Sequence, residues 1–68
     1  LLDLLEVAER RLRGAKADFD MKGYLTVGSV LDRLYARITR GDIPAANARA
    51  TLRKVLDKIG EKCRAASQ

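Results

Sequence analysis

Apolar residues recur every three or four positions along almost the whole chain, and that spacing leaves little but helix as a fold. Leu1, Leu5, Ala8, Leu12, Ala15 and Phe19 stack on one face of a helix, because side chains three and four apart share a face. A second series, Val27, Val30, Leu31, Leu34, Tyr35 and Ile38, does the same. A third runs through Ala45, Ala48, Leu52, Val55, Leu56, Ile59, Cys63 and Ala66. Phe19, Tyr24 and Tyr35 are the only aromatics and β-branched residues are few, so a sheet has little to build on. The pattern predicts amphipathic helices over about residues 1–19, 27–40 and 43–66.

Local chemistry suggests where these helices stop and start. Asp18–Leu25 reads as a connection, with Asp20-Met21-Lys22-Gly23 as its turn. Thr26 is then the expected N-cap of helix two, with Leu25 and Val30 as a hydrophobic staple. Helix two closes on Arg37 and Arg40 followed by Gly41, since cations suit a helix C-terminus and glycine tolerates the left-handed cap. Asp42 is the expected cap of helix three, and Pro44 sits where a missing N–H costs nothing. So short a link makes helices two and three antiparallel neighbours.

The expected fold is all-α: a small three-helix bundle, or a helical hairpin with an added helix that reaches a second chain. A ribbon-helix-helix with Lys22–Leu25 as its strand is a further arrangement, although those four residues alternate weakly.

With 68 residues the chain supports one domain and one small core, hiding only ~60% of its unfolded surface. It begins with Leu1 rather than Met, so a single helical domain excised from a larger protein is expected. Several functions find no residues to perform them. The chain has no His and one Cys, which rules out an intramolecular disulfide and gives no zinc cluster, so no metal or cofactor is expected. Without His, no Ser or Cys nucleophile has its usual base. Most carboxylates stand beside Arg or Lys, as Glu6 and Glu9 do four residues before Arg10 and Arg13, which suits a solvated helix face. Glycines at 14, 23, 28, 41 and 60 lack phosphate-loop spacing. A non-enzymatic chain with no small-molecule substrate is therefore expected. No apolar run reaches the ~18–20 residues of a membrane span. A lone cysteine without a secretory segment points to an intracellular, cytoplasmic setting.

What remains is surface. The net charge of +5 is uneven: residues 1–20 carry four basic and five acidic groups, residues 21–41 four and one, and residues 42–68 six and three. Arg33, Arg37 and Arg40 follow one another at i, i+4 and i+7 with no acidic residue three or four places away, and Arg49 is similarly unpaired. These four are the candidates for an anionic partner, unless helix one supplies carboxylates through Asp3, Glu6 and Glu9. The Arg40-Gly41-Asp42 string needs no recognition role, because a helix C-cap explains each residue. Leu1, Leu2, Leu5, Val7, Val30 and Tyr35 are the candidates for apolar contact, being more than one stripe needs. The expected function is a helical protein–protein interaction or oligomerisation module. The alternative is a small basic nucleic-acid-binding domain touching phosphates through helices two and three.

Overall fold

The computed structural model describes residues 1–67, of which Ser67 is described by its backbone alone. Three helices follow one another: α1 (Leu2–Gly14), α2 (Met21–Arg40) and α3 (Ala45–Ser67), with a 3-10 turn at Lys16–Asp18 between the first two. This is the all-α three-helix bundle that the apolar spacing predicts. Lys22–Leu25 lie inside α2, so the ribbon-helix-helix arrangement is excluded. The bundle measures 39 × 19 × 15 Å. Its long dimension follows α3, whose 23 residues at ~1.5 Å each give ~35 Å.

One cluster forms the core. Leu5, Ala8 and Leu12 of α1 meet Val27, Leu31 and Leu34 of α2 and Ala48, Leu52, Val55 and Ile59 of α3, with Ala15 and Phe19 closing the end beside the 3-10 turn. Every one of these positions belongs to a predicted stripe. The stripe of α3 is shorter than its spacing implies: Ala45 and Ala66 are exposed and Cys63 is half-buried.

The first two helix boundaries differ from expectation, for local reasons. Instead of reaching Phe19, α1 stops at Gly14, where helix propensity falls, and the chain tightens so that the Asp18 N–H reaches the Ala15 carbonyl at 2.9 Å. Ala15 and Phe19 stay buried because this tight turn preserves their side of the chain. Helix α2 then begins six residues before Val27. Its N-cap is Asp20, whose Oδ1 accepts from the Gly23 N–H at 2.8 Å. Thr26 does not cap; its hydroxyl donates to the Lys22 carbonyl one turn back at 2.8 Å. Leu25 is 57% exposed, so the staple with Val30 does not form. Gly23 is helical and serves by being small, since a Cβ there would lie 2.6 Å from the capping oxygen of Asp20.

The reversal between α2 and α3 forms where the sequence puts it. Gly41 takes φ +73, its N–H reaches the Ile38 carbonyl at 3.1 Å, and the Asp42 N–H reaches the Arg37 carbonyl at 3.1 Å. These two bonds make a Schellman cap. The two residues that such a cap brings together are often apolar; here they are Arg37 and Asp42, 3.4 Å apart as an ion pair. Arg40 joins the same carboxylate group at 3.2 Å. The side chain of Asp42 is thus engaged by α2, and it is not the cap of α3. That helix starts after Pro44, whose carbonyl accepts from Asn47 at 3.0 Å and Ala48 at 3.1 Å. It continues through Gly60 without interruption.

Three glycine substitutions separate these roles. Gly60→Ala, which would meet only the Arg64 side chain at ordinary contact distance, should stabilise the fold by ~0.5–1 kcal/mol and raise Tm by a few degrees. Gly23→Ala should give no such gain, because the added Cβ displaces a cap worth ~1 kcal/mol. Gly41→Ala should destabilise by ~1 kcal/mol, since left-handed backbone disfavours a side chain. Thermal unfolding followed by circular dichroism reads all three.

Candidate functional site

At ~100° per residue, the sides of α2 that flank its buried stripe can be read from residue number alone. Met21, Leu25, Gly28, Asp32 and Tyr35 fall within an arc of ~80° on one flank. Gly28 and Asp32 share a shallow groove with Glu9, Leu12 and Arg13 of α1, so this flank is the one beside α1. The opposite flank carries Val30, Arg33 and Arg37, which share a groove with Ile43 of the reversal and Thr51 of α3. One side of α2 is thus largely apolar and the other is basic.

Apolar exposure is concentrated on the α1–α2 side. The exposed large apolar side chains are Leu2 at 46%, Met21 at 70%, Leu25 at 57% and Tyr35 at 52%. Leu2 falls between Glu9 and Arg13 around α1, by the same helical arithmetic, and so edges the same face. Of the residues expected to make apolar contact, Leu2 and Tyr35 are therefore brought to one face. Leu5 is 2% exposed and belongs to the core; it leaves nothing for a partner to touch. Val30 and Leu1 are half-buried against that core. Leu1 lines the groove between α1 and α3, and Val7 is half-buried. Met21 and Leu25 are not among the residues expected to make apolar contact, because the turn chemistry of Asp20-Met21-Lys22-Gly23 points to a connection there. Asp20 three residues before Gly23, with Met21 and Leu25 one turn apart, was the available signal.

The basic candidates are split. Arg37 and Arg40 share Asp42 across the reversal, a pairing that the i+3 and i+4 rule cannot find because it runs through a non-helical turn. Arg33 stays beside Arg37 in the α2–α3 groove. Arg49 lies on the other flank of α3, in the α1–α3 groove with Arg11, Arg53 and Lys54. Among the described residues no ion pair joins α1 to the other helices, so Asp3, Glu6 and Glu9 do not neutralise the arginines of α2. The Asp42 pairs are about half exposed or more, and exposed pairs contribute only ~0–1 kcal/mol each.

The end of the bundle beside the 3-10 turn holds the one thiol. Cys63 is half-buried rather than part of the core. Desolvation pushes its pKa up first, followed by a hydrogen bond to Asp18 and the charge of that carboxylate, with Arg64 opposing. Lys62 stands 5.9 Å from the centre of the Phe19 ring and Lys16 5.5 Å from that of Tyr24, so cations cover the rings there. Among the described residues no three His, Cys, Asp or Glu converge to hold a metal ion, and no helix is long and apolar enough to cross a membrane. No family model, curated protein or solved structure matches this chain.

A raised thiol pKa has a measurable result. At about pH 8 iodoacetamide should modify Cys63 more slowly than a cysteine in an unfolded peptide, because less thiolate is present. Asp18→Asn should speed that reaction about two- to fivefold by removing the negative charge that disfavours the thiolate. Mass spectrometry of timed samples measures both rates, and equal rates would refute the contact.

Proposed function

We propose that this chain is a non-catalytic helical association module that pairs with a second copy of itself through the α1–α2 face. The clustering of Leu2, Met21, Leu25 and Tyr35, all exposed on that one side, carries the reading. Large apolar side chains gathered in one strip mark a contact surface, whereas the same residues scattered would mean nothing. The strip extends ~21 Å from Met21 to Tyr35.

Charge favours a second copy as the occupant. Glu9, Arg13 and Asp32 edge the strip with both signs, so a copy related by a two-fold axis can set the Arg13 of each chain against a carboxylate of the other. The positive surplus lies around α3 and the far flank of α2, which lets two chains of net charge +5 meet with their like charges apart. Near the middle of the strip Gly28 has nothing within 4 Å of where a Cβ would stand, leaving room for a facing helix. Pairing through a single strip of this kind depends on concentration. A reducing, intracellular and cytoplasmic setting suits the lone protonated thiol.

Nucleic-acid binding through Arg33, Arg37, Arg40 and Arg49 is the competing reading. It is weakened because two of those arginines share Asp42 and Arg49 faces a different groove.

Sedimentation equilibrium separates the two. From about 10 µM to about 1 mM the apparent mass should rise from monomer toward dimer, with little dependence on salt. Leu25→Glu and Tyr35→Glu, both exposed in the monomer, should each hold the chain monomeric without loss of helical circular dichroism. A monomer throughout that range, together with a duplex-DNA complex whose affinity falls steeply on a log–log salt plot, would favour the phosphate reading instead.

A further inference from the structure

A second surface lies on the other side of α1, and its chemistry differs. Between α1 and α3 lies an open groove with a volume of about 1060 Å³. Its apolar lining is Leu1, Leu4 and Leu56, with Ala46 and Ala50 on the outer side of α3 at its edge. Leu4 and Leu56 are half-buried against the core, while the two alanines, one turn apart on α3, are exposed. Arg11, Arg49, Arg53 and Lys54 stand around this lining, against two carboxylates, Asp3 and Asp57. Among the described residues none of the four cations is in an ion pair.

We propose that this groove receives an amphipathic helix of acidic character from another protein. Each part of the groove matches a requirement of that occupant. A helix laid in a groove buries a stripe of apolar side chains at i, i+3 or i+4, and i+7, and the leucine floor receives it. Alanines at positions 46 and 50 let its backbone come within the ~8–10 Å at which helices pack. The groove follows α3 from Ala46 to Asp57, ~17 Å or about three helical turns. Four cations over two anions then select Asp and Glu on the flanks of the incoming helix.

Other occupants fit less well. A phosphate backbone would use the cations but leave the leucine floor without a partner, and no aromatic residue lines the groove for a base to stack upon. A second copy of this chain would bring a net charge of +5 to a basic rim. This docking does not depend on pairing through the α1–α2 face, because the two surfaces lie on opposite flanks of α1.

The test uses the 68-residue chain and a fluorescein-labelled helical peptide of about 14 residues with leucines on one face and glutamates on the others. Fluorescence anisotropy should give a Kd of tens of micromolar, weakening as salt rises. Arg53→Glu and Ala50→Phe, both at exposed positions, should each reduce affinity at least about tenfold, the first by charge and the second by obstructing close approach to α3. Ser29→Ala, at an exposed position of α2, should leave it unchanged. Binding of a glutamate-to-lysine peptide with equal affinity would overturn the acidic partner. Undiminished binding of a leucine-to-alanine peptide would overturn the use of the floor. Displacement of the peptide by duplex DNA of about 20 base pairs at lower concentration would assign the rim to phosphate instead. No binding at about 1 mM would remove the site altogether.

Discussion

The bundle rests on a single layer of apolar side chains shared by three helices. Among the described residues twelve are buried in that layer, and three of them, Ala8, Ala15 and Ala48, are alanines. No buried polar or charged residue is found among the described positions, so the core offers packing and no polar network to fix its geometry. A layer this thin sets the rest of the design. It cannot surround side chains on the flank of a helix, so residues such as Leu25 and Tyr35 stay outside although they are as apolar as those within. Ionisable groups likewise have nowhere to go but outward, where solvent weakens each pair. The surface is therefore where this chain's chemistry lies.

The fold was legible because period is a strong signal. Leu5, Leu12, Leu31, Leu52 and Ile59 all lie where the three-and-four spacing puts them, and no tertiary contact had to be known to find them. Boundaries depended on competing local bonds. Asp20 and Thr26 are both good capping residues, and the two caps differ by six residues in where α2 begins. Asp20 prevails because Gly23 leaves room for its carboxylate beside the backbone N–H, at 2.8 Å. A stripe also says nothing of backbone type. Ala15 and Phe19 are buried as expected, yet a 3-10 turn delivers them.

The site was legible only in part, and the reason is geometric. An arginine's neighbours on its own helix can be counted, but Asp42 reaches Arg37 and Arg40 through the left-handed turn at Gly41. That cap does more than end a helix. It folds one carboxylate back over the last turn of α2 and divides a row of three cations into a paired end and an open Arg33. It also sends α3 back along α2, which carries Arg49 away from the others to the far flank. One left-handed glycine thus governs both the path of the chain and the distribution of its charge.

Both surfaces proposed for association share α1 as a wall, and α1 is the helix least able to stand alone. It has 13 residues, no side-chain cap at its start, and Gly14 at its end, a length at which isolated helices are marginal in water. Its order comes from packing Leu5, Ala8 and Leu12 against the other two helices. An occupant on either flank binds only the form with α1 docked, so each must favour the other by whatever fraction of chains had α1 undocked. If docking is nearly complete in the free chain the coupling vanishes, since a ligand cannot shift an equilibrium that already lies on its side. The size of any cooperativity between the two faces therefore measures how firmly three buried side chains hold α1 in place.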